Sequence, residues 1–167
     1  MHTADTACRW LGETGGFWIQ TFALIISAVA ALWLIYSSAS GERQRATIDL
    51  VVQQRRDKEL EAAKLLIRNL HENNTTNFAK FLEDRASCEF TAILKVLNNY
   101  EFIAAAIRHG ALDEKLFKRM QYTVVLKAWG ALCPFVFELR KQDQHTTLFQ
   151  EFQRMAERWK ENPLKPD

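Results

Sequence analysis

The side chains best suited to metal or nucleophilic chemistry are few and scattered. His2, His71, His109 and His145 have no second histidine four residues away, and Cys8, Cys88 and Cys133 lack the spacing of metal ligands. No metal site is therefore expected. Glu89, Glu101 and Glu138 could point into a common core, but a di-metal centre in helices would need Glu-x-x-His pairs, which are missing. There is no glycine-rich phosphate loop and no Gly-x-Ser-x-Gly elbow, so neither an enzyme nor a cofactor is expected. Cys88 and Cys133 read as small core residues, and Cys8 as a residue that could bridge two copies of the chain.

One short segment does break the apolar pattern in a way that chemistry could use. Leu97-Asn98-Asn99-Tyr100-Glu101-Phe102-Ile103-Ala104 sets Asn98 and Glu101, at i and i+3, on one face of an otherwise apolar helix. Buried polar groups must be paired, so two readings follow. Either these residues join Arg108, Arg119 or Arg140 in a structural network, or they line a pocket for a ligand or partner. An enzyme using Glu101, Asn98 and Arg108 ranks third.

The elements that would position this segment are helical. From Glu42 to Glu161 the helix breakers are Gly110, Gly130 and Pro134, and no alternating apolar run suggests a strand. A juxtamembrane helix is expected over residues 42–70, with apolar positions at Ile48, Val52, Ala63, Leu66 and Leu70, running on from the preceding segment through a soft spot at 37–41. The polar tract 71–77 reads as a loop in which Thr75 or Thr76 caps the next helix. Helices over 78–109 and 113–141 should form an antiparallel hairpin, with Gly110 as the left-handed terminator of the first and Asp113 as the N-cap of the second. A kink or break is expected near Pro134. A surface helix over 147–161, opened by a Thr147–Gln150 capping box, carries the stripe Leu148, Phe152, Met155 and Trp159, a candidate docking face for a partner. Residues 162–167 form a tail.

Ahead of these helices lies a segment suited to a different solvent. Of the 20 residues Phe17 to Tyr36, 17 are apolar and none is charged. Only three of the charged residues, Asp5, Arg9 and Glu13, precede position 42. Twenty residues at about 1.5 Å each cover the roughly 30 Å hydrocarbon core of a bilayer. Trp10, Phe17 and Trp18 at one end and Trp33 and Tyr36 at the other suit the two headgroup zones. Arg9 stands alone before the span whereas Arg43, Arg45, Arg55 and Arg56 follow it, which sets residues 1–16 outside and residues 42–161 in the cytoplasm. Ser38-Ala39-Ser40 could serve as a signal-peptide cleavage site, but the apolar run is too long and the leading segment too acidic for that. Ala23, Ser27 and Ala31 recur every four residues, a small-residue stripe through which two spans could pair as a homo-oligomer.

The motif Leu97-Asn98-x-x-Glu101-x-Ile103-Ala104, with Ile107-Arg108 and Gly110-x-Leu112-Asp113-Glu114 behind it, resembles the central hairpin of a bacterial family of short, N-terminally membrane-anchored proteins known only as a domain of unknown function. The resemblance covers the anchor and the helices to about residue 141, with Ala105-Ala106 a mild departure. It implies an anchored helical architecture, occurrence in bacterial genomes and mobile elements, and no catalytic residues.

The fold expected is all-α: one N-terminal transmembrane helix and a cytoplasmic antiparallel bundle of about four helices. The function expected is that of a membrane-tethered adaptor or sensor of the bacterial inner membrane, with the lipid bilayer, a further copy of itself and a protein as partners. The alternative is a membrane-perturbing effector of phage exclusion or abortive infection. Residues 42–167 hold 21 Lys and Arg against 18 Asp and Glu, interspersed, which fits a solvated surface and no specific nucleic acid.

Overall fold

The computed structural model describes residues 15–72 and 78–165, and among them all regular structure is helical. Five α-helices follow one another: α1 (Gly15–Arg56), α2 (Lys58–Glu72), α3 (Cys88–Arg108), α4 (Glu114–Asp143) and α5 (Gln150–Glu161), with a 3₁₀ turn at Phe78–Leu82 before α3. The chain divides into two units, residues 1–42 and 43–167.

In the first unit, α1 shows an apolar surface all round. Every large apolar side chain from Phe17 to Tyr36 is exposed, Ile19 and Trp33 at 74%. The three polar side chains in this stretch do not interrupt it. Thr21 and Ser27 donate their hydroxyls to the carbonyls of Phe17 and Ala23, each one turn back, which satisfies both without a second helix. The expected soft spot at 37–41 is absent. Helical bonding continues through it, and Ser37 bonds back to the Leu34 carbonyl. The break falls at Asp57 instead, so the juxtamembrane helix does not run to residue 70. There the Asp57 carboxylate accepts from the Leu60 N–H and starts α2. That bond, more than the charge of Lys95 nearby, holds the Asp57 carboxyl below its usual range.

In the second unit the core is assembled around α3, which buries Ile93, Leu97, Tyr100, Ile103 and Ala104. Ser87 caps it by accepting from the Phe90 N–H, and Asp84 shapes the turn before it. This local bonding explains why the helix begins at Cys88 and not at 78. Cys88 is exposed and not the core residue expected, whereas Cys133 is half-buried and packs against the core. The α3–α4 connection follows the sequence closely. Gly110 has φ +72°, Ala111 N–H donates back to the Ala106 carbonyl, and Asp113 accepts from Leu116 N–H. Helix α4 continues through Pro134 without a break.

Two features depart from a simple hairpin. First, α3 and α4 touch each other little, because α5 packs against both, while the 3₁₀ turn packs on α4 and α2 on α3. Second, the face α1 buries in this unit is Thr47, Val51 and Gln54, and Ile48 and Val52 point outward. Of the tract 71–77 expected as a loop, His71 and Glu72 are the end of α2, while residues 73–77, with the expected caps Thr75 and Thr76, and residues 1–14, with Cys8, lie outside the described residues.

Candidate functional site

The polar segment of α3 is a junction that seats α5. Helix α5 begins at Phe149, a non-glycine residue at φ 57°, with no side-chain cap of its own. The expected Thr147–Gln150 capping box does not form, since Thr147 offers only its carbonyl, to Gln150 N–H. The missing cap comes from another helix. Glu101 accepts from Glu151 N–H at 3.1 Å with Oε1 and from Phe152 N–H at 2.8 Å with Oε2. These are the two donors an N-cap side chain normally satisfies, and a carboxylate there also meets the positive end of the helix dipole.

Two arginines complete the junction. Arg108, two turns on from Glu101, ion-pairs with Glu151. Arg140 of α4 donates from Nε to the Leu148 carbonyl at 2.9 Å and from Nη1 to Gln153 Oε1 at 2.7 Å, while its Nη2 is buried without a partner. Burial lowers the pKa of Arg140, and the negative charge of Glu101 opposes that shift. Of the five residues predicted for this group, Glu101, Arg108 and Arg140 converge on the start of α5. Asn98 and Arg119 are exposed and do not join them, because the α3 face toward α5 is set by Leu97, Tyr100, Glu101 and Ala104. Both Glu101 oxygens are engaged by backbone N–H groups, which makes it a positioning group for α5.

The predicted docking stripe on α5 is corrected by the same arrangement. Phe152, Met155 and Trp159 are 0%, 0% and 1% exposed, and Leu148 is half-buried. Phe152 stacks on Tyr100 at 4.9 Å and meets Trp129 edge-on at 5.1 Å. The stripe is single-sided as its periodicity indicates, but that side is core, so it offers nothing to a partner. At the far end, Glu114 Oε1 accepts from Trp159 Nε1 and Arg158, both at 2.9 Å. Partial burial raises the Glu114 pKa, but these bonds outweigh it and hold the carboxyl below its usual range.

Sequence reasoning missed the polar residues at the end of α1. Thr47, fully buried, accepts from Asp113 N–H at 2.9 Å, and Gln54 donates to Asn99 Oδ1 at 3.0 Å. The available signal was the i, i+4, i+7 spacing of Thr47, Val51 and Gln54, hidden by the stronger apolar character of Ile48 and Val52. Among the described residues no group of three His, Cys, Asp or Glu side chains comes together to hold a metal.

A family model for a domain of unknown function, DUF4760, matches residues 21–159. The chain belongs to this family. No curated protein and no solved structure matches the chain. The DUF4760 match begins inside the apolar run and ends on Trp159, so it takes in most of α1, the Glu101 junction and the whole of the α5 stripe.

Among the described residues, three helices are long and apolar enough to cross a membrane, α1, α3 and α4, with mean hydropathy 2.0, 1.2 and 1.3 over their most apolar stretches. They differ in cover. The share of that stretch buried by the rest of the chain is 0% for α1, 50% for α3 and 39% for α4.

Proposed function

We propose that this DUF4760 protein is a membrane-tethered interaction protein, an adaptor or sensor of the bacterial inner membrane. Residues 17–36 cross the bilayer once with the N-terminus outside, and residues 43–161 form a cytoplasmic helical bundle. The observation that carries this reading is the apolar girdle of α1, exposed on every side. A helix apolar all round and uncovered by its own chain needs an apolar medium, and a bilayer supplies one along its whole length. Self-association runs through Ala23, Ser27 and Ala31, whose small side chains let two spans approach closely.

The test is fractionation of cells producing the full chain. Retention in the membrane pellet after alkaline carbonate, with a C-terminal fluorescent fusion bright and an N-terminal alkaline phosphatase fusion active, is the expected result. Release by carbonate defeats the span. Ala31→Leu should lower the oligomer population in detergent, and an unchanged monomer at all concentrations defeats the self-association. Collapse of membrane potential on induction would replace the adaptor reading with the membrane-perturbing one.

A further inference from the structure

Helices α2 and α4 face each other across an open trough of about 630 Å³ in the second unit, floored by Val96 and Tyr100 of α3. Its α2 wall runs from Glu61 through Lys64, Leu65 and Arg68 to His71, and its α4 wall from Gln121 through Val124 and Lys127 to Ala131. Each wall is one helix face eleven residues long, or about 15 Å, close to three helical turns. Leu65 and Val124, on opposite walls, are 45% and 48% exposed. The trough therefore has the length of a helix seat and an apolar stripe along it.

The rim is charged with one sign. Lys64 is paired with Glu61 at 3.0 Å, which cancels both. Arg55 of α1, Arg68 of α2 and Lys127 of α4 also line the trough and make no ion pair among the described residues. These three cations stand on three different elements. A helix with carboxylates along both flanks of an apolar stripe complements cations presented from several elements around one trough.

We propose that the α2–α4 trough binds an acidic amphipathic helix of a partner protein, with apolar residues at i, i+3, i+4 and i+7 against Leu65 and Val124 and with Asp or Glu against Arg55, Arg68 and Lys127. This names the partner chemistry of the interaction role proposed above and rests on that reading. The experiment uses the full chain in lipid nanodiscs and two fluorescein-labelled helical peptides, one with leucines at that spacing flanked by glutamates, the other with lysines in place of the glutamates. Fluorescence anisotropy should show the acidic peptide binding at least tenfold tighter, with affinity falling as salt rises. The double variant R68E/K127E should reverse the preference, and V124E should abolish binding of both peptides. Arg55→Glu serves as a second charge variant should the double variant unfold. Binding of neither peptide, equal binding of both, or a preference unchanged by charge reversal overturns the proposal, as does palmitate binding that displaces the acidic peptide. Carbonate extraction of the same protein separates the two readings: a protein released by carbonate that still selects the acidic peptide keeps the trough and loses the span.

Discussion

Helix α1 and helix α3 each carry a stretch apolar enough to cross a bilayer, yet none of the first and half of the second is covered by the rest of the chain. The difference does not lie in the stretch alone. Ile103, Leu97 and Ile93 of α3 are 0% exposed because α2 and α5 lie on that helix, while Ile26 and Leu24 of α1, at 66% and 68%, have no such neighbour. Apolar character states how strongly a helix avoids water, and the partners available decide which other medium it finds.

That contrast can be broken most forcefully by one charge placed in each helix. Ile103→Lys puts an unpaired ammonium in the core and should cost at least about 4 kcal/mol, enough to remove cooperative thermal unfolding measured by circular dichroism. Ile26→Lys should leave that unfolding transition where it is and weaken membrane retention instead, by about 2.5–3.5 kcal/mol at the centre of a span. Equal effects of the two substitutions on unfolding would erase the distinction between the helices.

Uncovering α3 piecemeal gives smaller effects. Phe152→Ala removes the ring stacked on Tyr100 and should destabilise the folded unit by about 3–5 kcal/mol in urea titration. Glu101→Ala withdraws the cap of α5 and should cost about 1–2 kcal/mol, with faster amide exchange confined to α5 and the turn before it. Glu101→Gln, which keeps one acceptor, should lose less. The smallest effect is acid sensitivity. Glu114 and Asp57 have lowered pKa values, so their stabilisation is complete above the ordinary carboxylate range and fades as pH falls through the lowered values. The melting temperature should therefore drop below about pH 4, less steeply in Glu114→Gln.

The local signals at the α3–α4 turn translated well into structure, whereas the Thr147–Gln150 capping box and the soft spot at 37–41 did not. Gly110 and Asp113 lie next to the helix ends they define, and terminators and caps act over a few residues. The exposed girdle of α1 was equally readable, since a charge-free run needs no tertiary information to be recognised. What escaped was set at a distance. Glu101 caps a helix that starts 49 residues later, which no spacing rule describes. The buried face of α1 is offset by one residue from the expected one, because Ile48 and Val52 are as apolar as Val51 and the Thr47–Asp113 and Gln54–Asn99 bonds, which favour the observed rotation, connect residues distant in sequence. The α5 stripe was read correctly as one-sided, but whether such a side meets a partner or its own core depends on room between α3 and α4, which periodicity does not report.

The wedging of α5 also bears on how the chain is made. The segment that shields α3 and α4 is synthesised after both of them, and it depends on Glu101 of α3 for its own helix start. Until residues 150–161 leave the ribosome, two helices with the hydropathy of membrane spans stand without one of their covers. At a bilayer surface, where α1 is proposed to deliver them, the insertion machinery must pass them over during that interval. On the proposed anchoring, the twelve residues of α5 bear on sorting as well as on packing, since a nascent chain stalled before Gln150 leaves α3 and α4 without one of their covers.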